Sequence, residues 1–164
     1  MTHPYDILEL DNGAKFIFTP CPGTKEADLP ASIRTLKAAG ADAIISLLPN
    51  SELTKLNVTE LGVETAQQNM SWYQLPIEDD QAPEQPFFDA FESFKDELLE
   101  HLKSQKTMVI HCRGGTGRTG LMAAILLLES GYQWERAKTL IQSARPKSLT
   151  IPVHVEFLQK HYSI

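Results

Sequence analysis

Short apolar runs and longer segments with helical spacing alternate along this chain of 164 residues. A short, continuous apolar run between turn signals is typical of a buried strand, and an alternating run is typical of a half-buried one. These patterns predict four strands, at residues 16–18, 43–48, 73–77 and 107–110. The third run alternates at Tyr73, Leu75 and Ile77, whereas the other three are continuous.

Apolar residues that recur every three or four positions predict helices between and after these strands. Asp28, Ser51 and Thr59 are predicted caps of three helical segments, the first running to residue 39 and the third toward residue 68. Further helices are predicted at residues 87–102, 117–128, 134–143 and 152–159. This alternation predicts an α/β fold, a single domain over residues 1–164 with a central, mostly parallel twisted sheet flanked by helices.

The composition argues against several classes of protein. A net charge of -6 argues against a general nucleic-acid binder, since such proteins are usually basic. The longest apolar run, at residues 121–128, is far shorter than the roughly 20 residues that span a bilayer. No secretory leader is visible, and Cys21 and Cys112 do not form a disulfide framework. We therefore expect a cytoplasmic monomer that binds neither membranes nor nucleic acids.

The candidate chemistry lies in one run, His111-Cys112-Arg113-Gly114-Gly115-Thr116-Gly117-Arg118-Thr119. Residues 112–118, which we call the cysteine loop, follow a predicted buried strand and lead into an apolar helix. The three glycines of the loop let backbone amides approach a ligand closely, and the positive end of the helix faces the same point. A nucleophile at the centre of an anion site predicts phosphate-ester chemistry.

Each side chain of this run has a predicted task. Arg118 has a planar guanidinium that can hold two phosphate oxygens at once. Cys112 lies in the same positive surroundings, so we predict that it is a thiolate nucleophile at neutral pH. Thr119 is expected to donate its hydroxyl to that sulfur, and His111 to orient the loop rather than to act as a base. The other predicted phosphate-binding positions are Arg113, Gly114, Gly115, Thr116 and Gly117, and neither a metal nor a cofactor is expected.

A general acid is also needed, because a thiolate that attacks phosphorus expels an alkoxide or a phenoxide. The segment after the third predicted strand, at residues 78–86, begins with three carboxylates. Asp79 is the first candidate for the acid and Asp80 is the alternative. Once ionised, the same carboxylate can activate the water that hydrolyses a phosphocysteine.

The pattern His-Cys-x-x-Gly-x-x-Arg-Thr at residues 111–119 resembles the signature of the cysteine-dependent protein tyrosine phosphatases. Pro76, Asp79 and Pro83 are spaced similarly to the general-acid loop of the dual-specificity group. Within that group, the glycines of the cysteine loop resemble those of the kinase-associated phosphatase branch (cyclin-dependent kinase inhibitor 3-like). The likeness spans roughly residues 15–160.

This resemblance implies a dual-specificity-phosphatase-like catalytic domain with a protein tyrosine phosphatase-like fold. In it Cys112 is the nucleophile, Arg118 is the phosphate fork and Asp79 is the acid. The implied reaction is the hydrolysis of phosphotyrosine, and of phosphoserine and phosphothreonine, in proteins or peptides through a phosphocysteine intermediate. Relatives in that branch have a glutamine before the last helix, whereas this chain has Thr150 or Ile151 there.

Alternatives stay open on the residues alone. A phosphopeptide-binding protein without turnover and a rhodanese-type sulfurtransferase are two other classes with a cysteine loop or an anion site. The absence of lysines inside the loop disfavours phosphoinositide substrates without excluding them. Cys21 is either a packed turn residue or a redox partner of Cys112, and Arg145 and Lys147 are either part of the pocket rim or ordinary surface charges.

Overall fold

A central sheet organises the protein, whose structure is a computed structural model that describes residues 2–164. Within this range five strands form one sheet: β1 (Asp6–Glu9), β2 (Lys15–Thr19), β3 (Ala43–Ser46), β4 (Ser71–Gln74) and β5 (Thr107–His111). Their order across the sheet is β1-β2-β5-β3-β4. The β1–β2 pair is antiparallel and the other three pairs are parallel, which confirms the predicted α/β class with a mostly parallel sheet.

Helices flank this sheet. Those in the described range are α1 (Leu29–Ala38), α2 (Asn50–Lys55), α3 (Leu61–Gln67), α4 (Gln85–Lys103), α5 (Gly117–Glu129), α6 (Trp134–Ala144) and α7 (Pro152–Tyr162). The central helix is α5, which contacts β5, α4, α6 and α7. Residues 118–127 of α5 are all buried, because this helix is apolar around most of its circumference. No helix within residues 2–164 is both long and apolar enough to cross a membrane.

Three strands differ from the prediction, and one of them, β3, ends at Ser46 instead of residue 48. The hydrophobic pattern does not reveal β1, because Leu8 is buried while its other three residues face solvent at the sheet edge. β4 ends at Gln74 instead of reaching Ile77. Leu75 and Ile77 still donate backbone hydrogen bonds, both 2.9 Å long, to the carbonyls of Ser46 and Leu47. The alternating run therefore marks continued pairing beside β3 after the regular strand has ended.

The predicted helix caps are right in one case out of three. Asp28 caps α1, since its carboxylate accepts a 2.9 Å hydrogen bond from the Ala31 amide. Ser51 was expected to cap α2, but this helix follows Pro49 and includes Ser51. Thr59 was expected to cap α3, but Glu60 precedes its first residue. Neither of these two helices has a side-chain cap, so an exposed Ser or Thr near a helix start is not a sufficient signal.

The sheet topology brings two loops to one edge. β5 ends at His111 and α5 begins at Gly117, so the cysteine loop lies beyond the carboxyl end of the central strand. β4 is parallel to β3, and β3 is parallel to β5, so the segment after β4 leaves the sheet at the same edge. We call this segment, residues 75–84 between β4 and α4, the acid loop. Ligands of open α/β sheets bind at this edge.

Candidate active site

The sulfur of Cys112 is buried at the base of the cysteine loop, where two donors point at it. The Gly115 amide lies 3.3 Å from Sγ and the Thr119 hydroxyl lies 3.2 Å from it. Cys112 is 4% exposed, so these donors act where little water competes with them. Both contacts favour a negatively charged sulfur.

The glycines of the loop are not equivalent. Gly115 has a φ of +83°, and a Cβ at this position would lie 2.5 Å from the carbonyl carbon of Thr19. Both observations require glycine here, and the backbone conformation aims the Gly115 amide at the sulfur. A Cβ on Gly114 would meet nothing within 4 Å, and one on Gly117 would meet only the Cδ1 of Ile151, at 3.0 Å. Packing against the protein therefore does not require glycine at 114, and the expectation that its missing side chain clears space for the ligand stays a prediction.

Arg118 is almost completely buried, at 2% exposed, and is held by a carboxylate from α2. Its two terminal nitrogens, Nη1 and Nη2, each donate a 2.8 Å hydrogen bond to one oxygen of Glu52. Nη1 also donates to the carbonyl of Ile77 at 2.9 Å, which ties Arg118 to the acid loop. Nε has no hydrogen-bond acceptor among residues 2–164. The guanidinium is thus oriented by protein contacts that leave its Nε edge open.

The pair of Arg118 and Glu52 is stabilised in its charged form. The hydrogen bonds from Arg118 hold the pKa of Glu52 below its usual value, although partial burial opposes them. Burial by itself would lower the pKa of Arg118, but the contacts with Glu52 and the negative charges around it raise the pKa above its ordinary value. Arg118 therefore keeps its positive charge beside Cys112 at any pH at which the protein is folded.

His111 lies behind Cys112 in a buried chain of hydrogen bonds. Its Nε2 is 2.6 Å from the Ser46 hydroxyl, and its Nδ1 is 3.0 Å from the carbonyl oxygen of Cys112. The indole Nε1 of Trp72 donates to the same Ser46 oxygen at 2.8 Å. Burial lowers the pKa of His111 to about 4. The neutral ring then donates from Nδ1 to Cys112 and accepts from Ser46, which fixes the backbone before the loop.

The acid loop places Asp79 next to Arg118. The Asp79 carboxylate lies 3.5 Å from Nη2 of Arg118, and its side chain is 62% exposed. Asp80 has a φ of +59° and forms no ion pair among the described residues. Both carboxylates reach the cleft above Cys112, and Asp79 is the one in contact with Arg118.

One cleft unites these groups. It has a volume of about 530 Å³, and its floor is the cysteine loop. It is lined by Thr24, Lys25, Leu56, Asp79, Asp80, Cys112, Arg113, Gly114, Thr116, Gly117, Arg118, Ile151 and His154. Arg113 is exposed at the rim, whereas Arg145 lies elsewhere and pairs with Asp6 at 2.8 Å.

Cys21 lies in the turn after β2 and its side chain is fully buried. Its backbone amide donates a 2.9 Å hydrogen bond to the carbonyl of Arg113, which braces the cysteine loop from the side. Burial raises the pKa of the Cys21 thiol to about 12, and the negative charge at Cys112 adds to this effect. A thiol with so high a pKa is a poor nucleophile, so this environment favours the packing interpretation over a redox partner.

The sequence analysis did not identify four residues that form hydrogen bonds in or around the site: Glu52, Ser46, Trp72 and His154. Each is remote in sequence from the group that it contacts, so no motif spacing connects them. Glu52 follows the predicted buried strand at residues 43–48, at the edge where ligands bind. Its place after that strand is the only signal that could have identified it.

A buried strand, a glycine-containing loop with Cys and Arg, a following buried helix and a carboxylate beside that arginine are together the features of a cysteine-dependent phosphatase domain. A family model described as "PTP-SAK: Swiss Army Knife protein, DSP-PTPase phosphatase domain" matches residues 23–159. The chain belongs to this family, which confirms the resemblance to the dual-specificity group.

Individual proteins named as phosphatases or as cyclin-dependent kinase inhibitor 3 are also similar in sequence to this chain. The chain is 32% identical over 111 residues to cyclin-dependent kinase inhibitor 3 of Rattus norvegicus, which covers 65% of this chain and 51% of that protein. It is 28% identical over 150 residues to the PRL-1 phosphatase of Drosophila melanogaster, covering 91% and 78% of the two chains. The matched regions are 42%, 51% and 16% of the length of three curated relatives. This chain therefore spans about half or less of the length of those three proteins.

Solved structures share the fold. A crystal structure of kinase-associated phosphatase, with its catalytic-site cysteine replaced by serine, superposes with a TM-score of 0.85. The two sequences are 22% identical, and the match covers 99% of this chain and 96% of that one. Tk-PTP in its active form superposes with a TM-score of 0.69 at 22% identity, covering 90% and 91% of the two chains.

Proposed function

We propose that the protein is a cysteine-dependent phosphatase that hydrolyses phosphotyrosine, and also phosphoserine and phosphothreonine, in proteins or peptides. The observation that carries this proposal is the convergence of three groups in one cleft. Cys112 has two donors on its sulfur, Arg118 is oriented with an open edge, and Asp79 lies 3.5 Å from that arginine. Family membership and the names of the relatives support the same activity.

In the first step the phosphate binds over the cysteine loop. The backbone amides of Arg113, Gly114 and Thr116 have no acceptor among the described residues and are available to its oxygens. The guanidinium of Arg118 has five N–H donors, of which Glu52 and Ile77 engage three, so donors on Nε and Nη2 remain. These fixed donors stabilise the negative charge that a phosphoryl group carries during transfer.

The thiolate of Cys112 then attacks phosphorus. The S–P bond forms while the bond from phosphorus to the leaving oxygen breaks, and protonated Asp79 gives its proton to that oxygen. The products of this half-reaction are phosphocysteine, the dephosphorylated alcohol or phenol, and ionised Asp79.

Hydrolysis of the intermediate uses the same groups in reverse. Ionised Asp79 takes a proton from water, the water oxygen attacks phosphorus and the S–P bond breaks. The electron pair returns to Cys112, whose charge the Thr119 hydroxyl and the Gly115 amide stabilise. Inorganic phosphate leaves and Asp79 is protonated again. Free cysteines fit this cycle, and we place it in a reducing compartment such as the cytoplasm.

The decisive test compares two cysteine-to-serine variants with p-nitrophenyl phosphate as substrate. Cys112→Ser should reduce kcat by more than about a thousandfold, while binding of tungstate, a phosphate analogue, survives. Cys21→Ser is the matched control and should keep kcat within about twofold, since Cys21 supports the cysteine loop through its backbone amide and its thiol donates only to the Pro22 carbonyl. Turnover at the wild-type rate in Cys112→Ser would exclude the covalent mechanism, and tight phosphopeptide binding without hydrolysis by the wild type would favour a binding protein.

The substrate class needs a separate experiment. A panel of peptides that carry phosphotyrosine, phosphoserine or phosphothreonine at the same position should be compared with a soluble phosphoinositide by phosphate release. We expect the phosphotyrosine peptide to be hydrolysed fastest, since the longer side chain reaches a buried sulfur more easily. Faster release from the phosphoinositide would replace the proposed substrate class with lipids.

A further inference from the structure

We propose that His154 on α7 is a positioning residue that latches the acid loop over the cysteine loop. The inference rests on the proposed function, because it assigns His154 a part in delivering the general acid. It concerns a residue that belongs to neither sequence motif and that lies 73 positions after Gln81 of the acid loop.

The contact is direct and buried. Nε2 of His154 lies 2.9 Å from the backbone carbonyl of Gln81, and the side chain is 1% exposed. Burial lowers the pKa of His154, although the bond to Gln81 and the nearby Asp80 and Asp79 oppose this effect. A neutral imidazole has one N–H, and a carbonyl accepts only from a donor, so that proton lies on Nε2.

This hydrogen bond completes a clamp on the turn that carries the carboxylates. The turn is closed by a 3.1 Å hydrogen bond from the Gln81 amide to the Glu78 carbonyl. Immediately before it, the carbonyl of Ile77 accepts from Nη1 of Arg118 at 2.9 Å. At its end, the carbonyl of Gln81 accepts from His154. The two candidate acids lie between these points, with side chains exposed in the cleft.

The two carboxylates have few firm contacts of their own, so the backbone that carries them must be held in place. Asp79 is 62% exposed, and its contact with Arg118 is 3.5 Å long, so its own contacts hold it weakly. Asp80 has a left-handed backbone conformation, with φ at +59°, which an aspartate adopts only at some cost. Bonds to the backbone on both sides of the turn are therefore what fix the acid relative to the sulfur.

A displaced acid impairs only the step that needs its proton. An ester with a good leaving group departs without full protonation, whereas phenyl phosphate depends on the acid. Loss of the latch should therefore lower kcat for poor leaving groups selectively, because misplacement of a catalytic group by about 1 Å is costly. A purely structural role of His154 would lower kcat for all substrates by the same factor.

The experiment measures kcat for a series of aryl phosphates that differ in the acidity of the leaving phenol. His154→Ala should lower kcat for phenyl phosphate by about tenfold and for the most acidic phenol by less than about twofold. His154→Gln should restore most of the loss, since its amide nitrogen can occupy the place of Nε2, whereas His154→Asn should not. Leu158→Ala is the control: it truncates another fully buried side chain of α7 and should give no leaving-group dependence.

A double-mutant cycle with Asp79 completes the test. If His154 acts through the acid loop, His154→Ala should lower kcat for phenyl phosphate little further in an Asp79→Ala background. An equal loss for every aryl phosphate, or a full additional loss in Asp79→Ala, would overturn the latch. Failure of the proposed function itself looks different, because the wild type would then hydrolyse none of the aryl phosphates.

Discussion

The cysteine loop and the acid loop face each other across one cleft, yet they are built in different ways. The sulfur of Cys112 is buried, and its donors, Gly115 and Thr119, belong to the same short run of sequence. Asp79 is largely exposed, and the backbone around it is held by Arg118 and His154 from distant helices. The donors to the nucleophile are thus local in sequence, whereas the backbone around the acid is held by residues from distant helices.

Arg118 connects the two halves. It lies in the cysteine loop, its partner Glu52 comes from α2, and it binds the acid loop through the Ile77 carbonyl. A change in the arginine should therefore damage both phosphate binding and acid placement, whereas changes in the acid loop should spare phosphate binding. The following predictions separate these effects.

Arg118→Lys should have the largest effect. A lysine ammonium keeps the charge but lacks the planar fork, so it loses both the bidentate pairing with Glu52 and the phosphate contacts. We expect kcat/KM for p-nitrophenyl phosphate to fall by about a thousandfold. Arg136→Lys, at an exposed ion pair with Asp11, is the matched control and should leave it unchanged. A loss of less than tenfold in Arg118→Lys would show that charge alone suffices.

His111 should make the folded protein sensitive to acid. Its pKa is about 4 in the folded protein because of burial, whereas an unfolded histidine titrates near 6.5. The folded-state pKa is depressed, so the contribution is fully present above about pH 6.5 and is lost as the pH falls toward 4. The loss of unfolding free energy over that window is about 3 kcal/mol.

Urea unfolding from about pH 7.5 to about pH 4.5 measures this contribution. His111→Asn should remove most of the decline that the wild type shows, beyond the part due to carboxylates and to the other buried histidines, His3 and His154. His161→Asn, which changes an exposed histidine of α7, should retain the wild-type decline. An identical decline in His111→Asn would contradict the assignment.

Asp79→Ala should affect catalysis without affecting phosphate binding. We expect kcat for phenyl phosphate to fall by about a hundredfold and the basic limb of the pH profile to flatten, because the group that must be protonated is gone. The affinity for tungstate should stay the same. Asp80→Ala is the matched comparison with a smaller expected loss, and the reverse order of the two losses would assign the acid to Asp80.

Glu52→Gln should have the smallest effect of the series. Glutamine keeps the size of the side chain but removes the charge and one acceptor, so Arg118 is held less firmly. We expect kcat/KM to fall by about tenfold. Glu60→Gln, at an exposed carboxylate before α3, should leave the activity unchanged. Equal activities of the two variants would show that the loop alone orients Arg118.

The contrast between contacts that are local in sequence and contacts from distant elements also explains how far the sequence could predict the structure. Apolar runs predict β2, β3 and β5, because strands buried on both faces are apolar throughout. The cysteine loop is predictable because the residues that contact the sulfur are its near neighbours in the chain. β1 was missed because one buried residue in four gives no periodic pattern.

Glu52, His154, Ser46 and Trp72 could not be predicted from the sequence, and the reason is physical. Glu52 and His154 become neighbours of the site through the packing of α2 and α7, and Ser46 and Trp72 through the pairing of β3 with its neighbours. A glutamate in a short helix and a histidine in an amphipathic one are also common on surfaces. Their roles follow from burial and contact distances, which a single sequence does not contain.

The most direct test of the two-loop account is to trap the covalent intermediate. Asp79→Ala should be quenched with acid during turnover of an aryl phosphate with a good leaving group, since formation of phosphocysteine then proceeds while its hydrolysis is slow. Mass spectrometry of the digested protein should find one phosphoryl group on the peptide that contains Cys112, and none in the Asp79→Ala/Cys112→Ser double variant. Turnover without any phosphoryl group on Cys112, or with the group on another residue, would contradict the account.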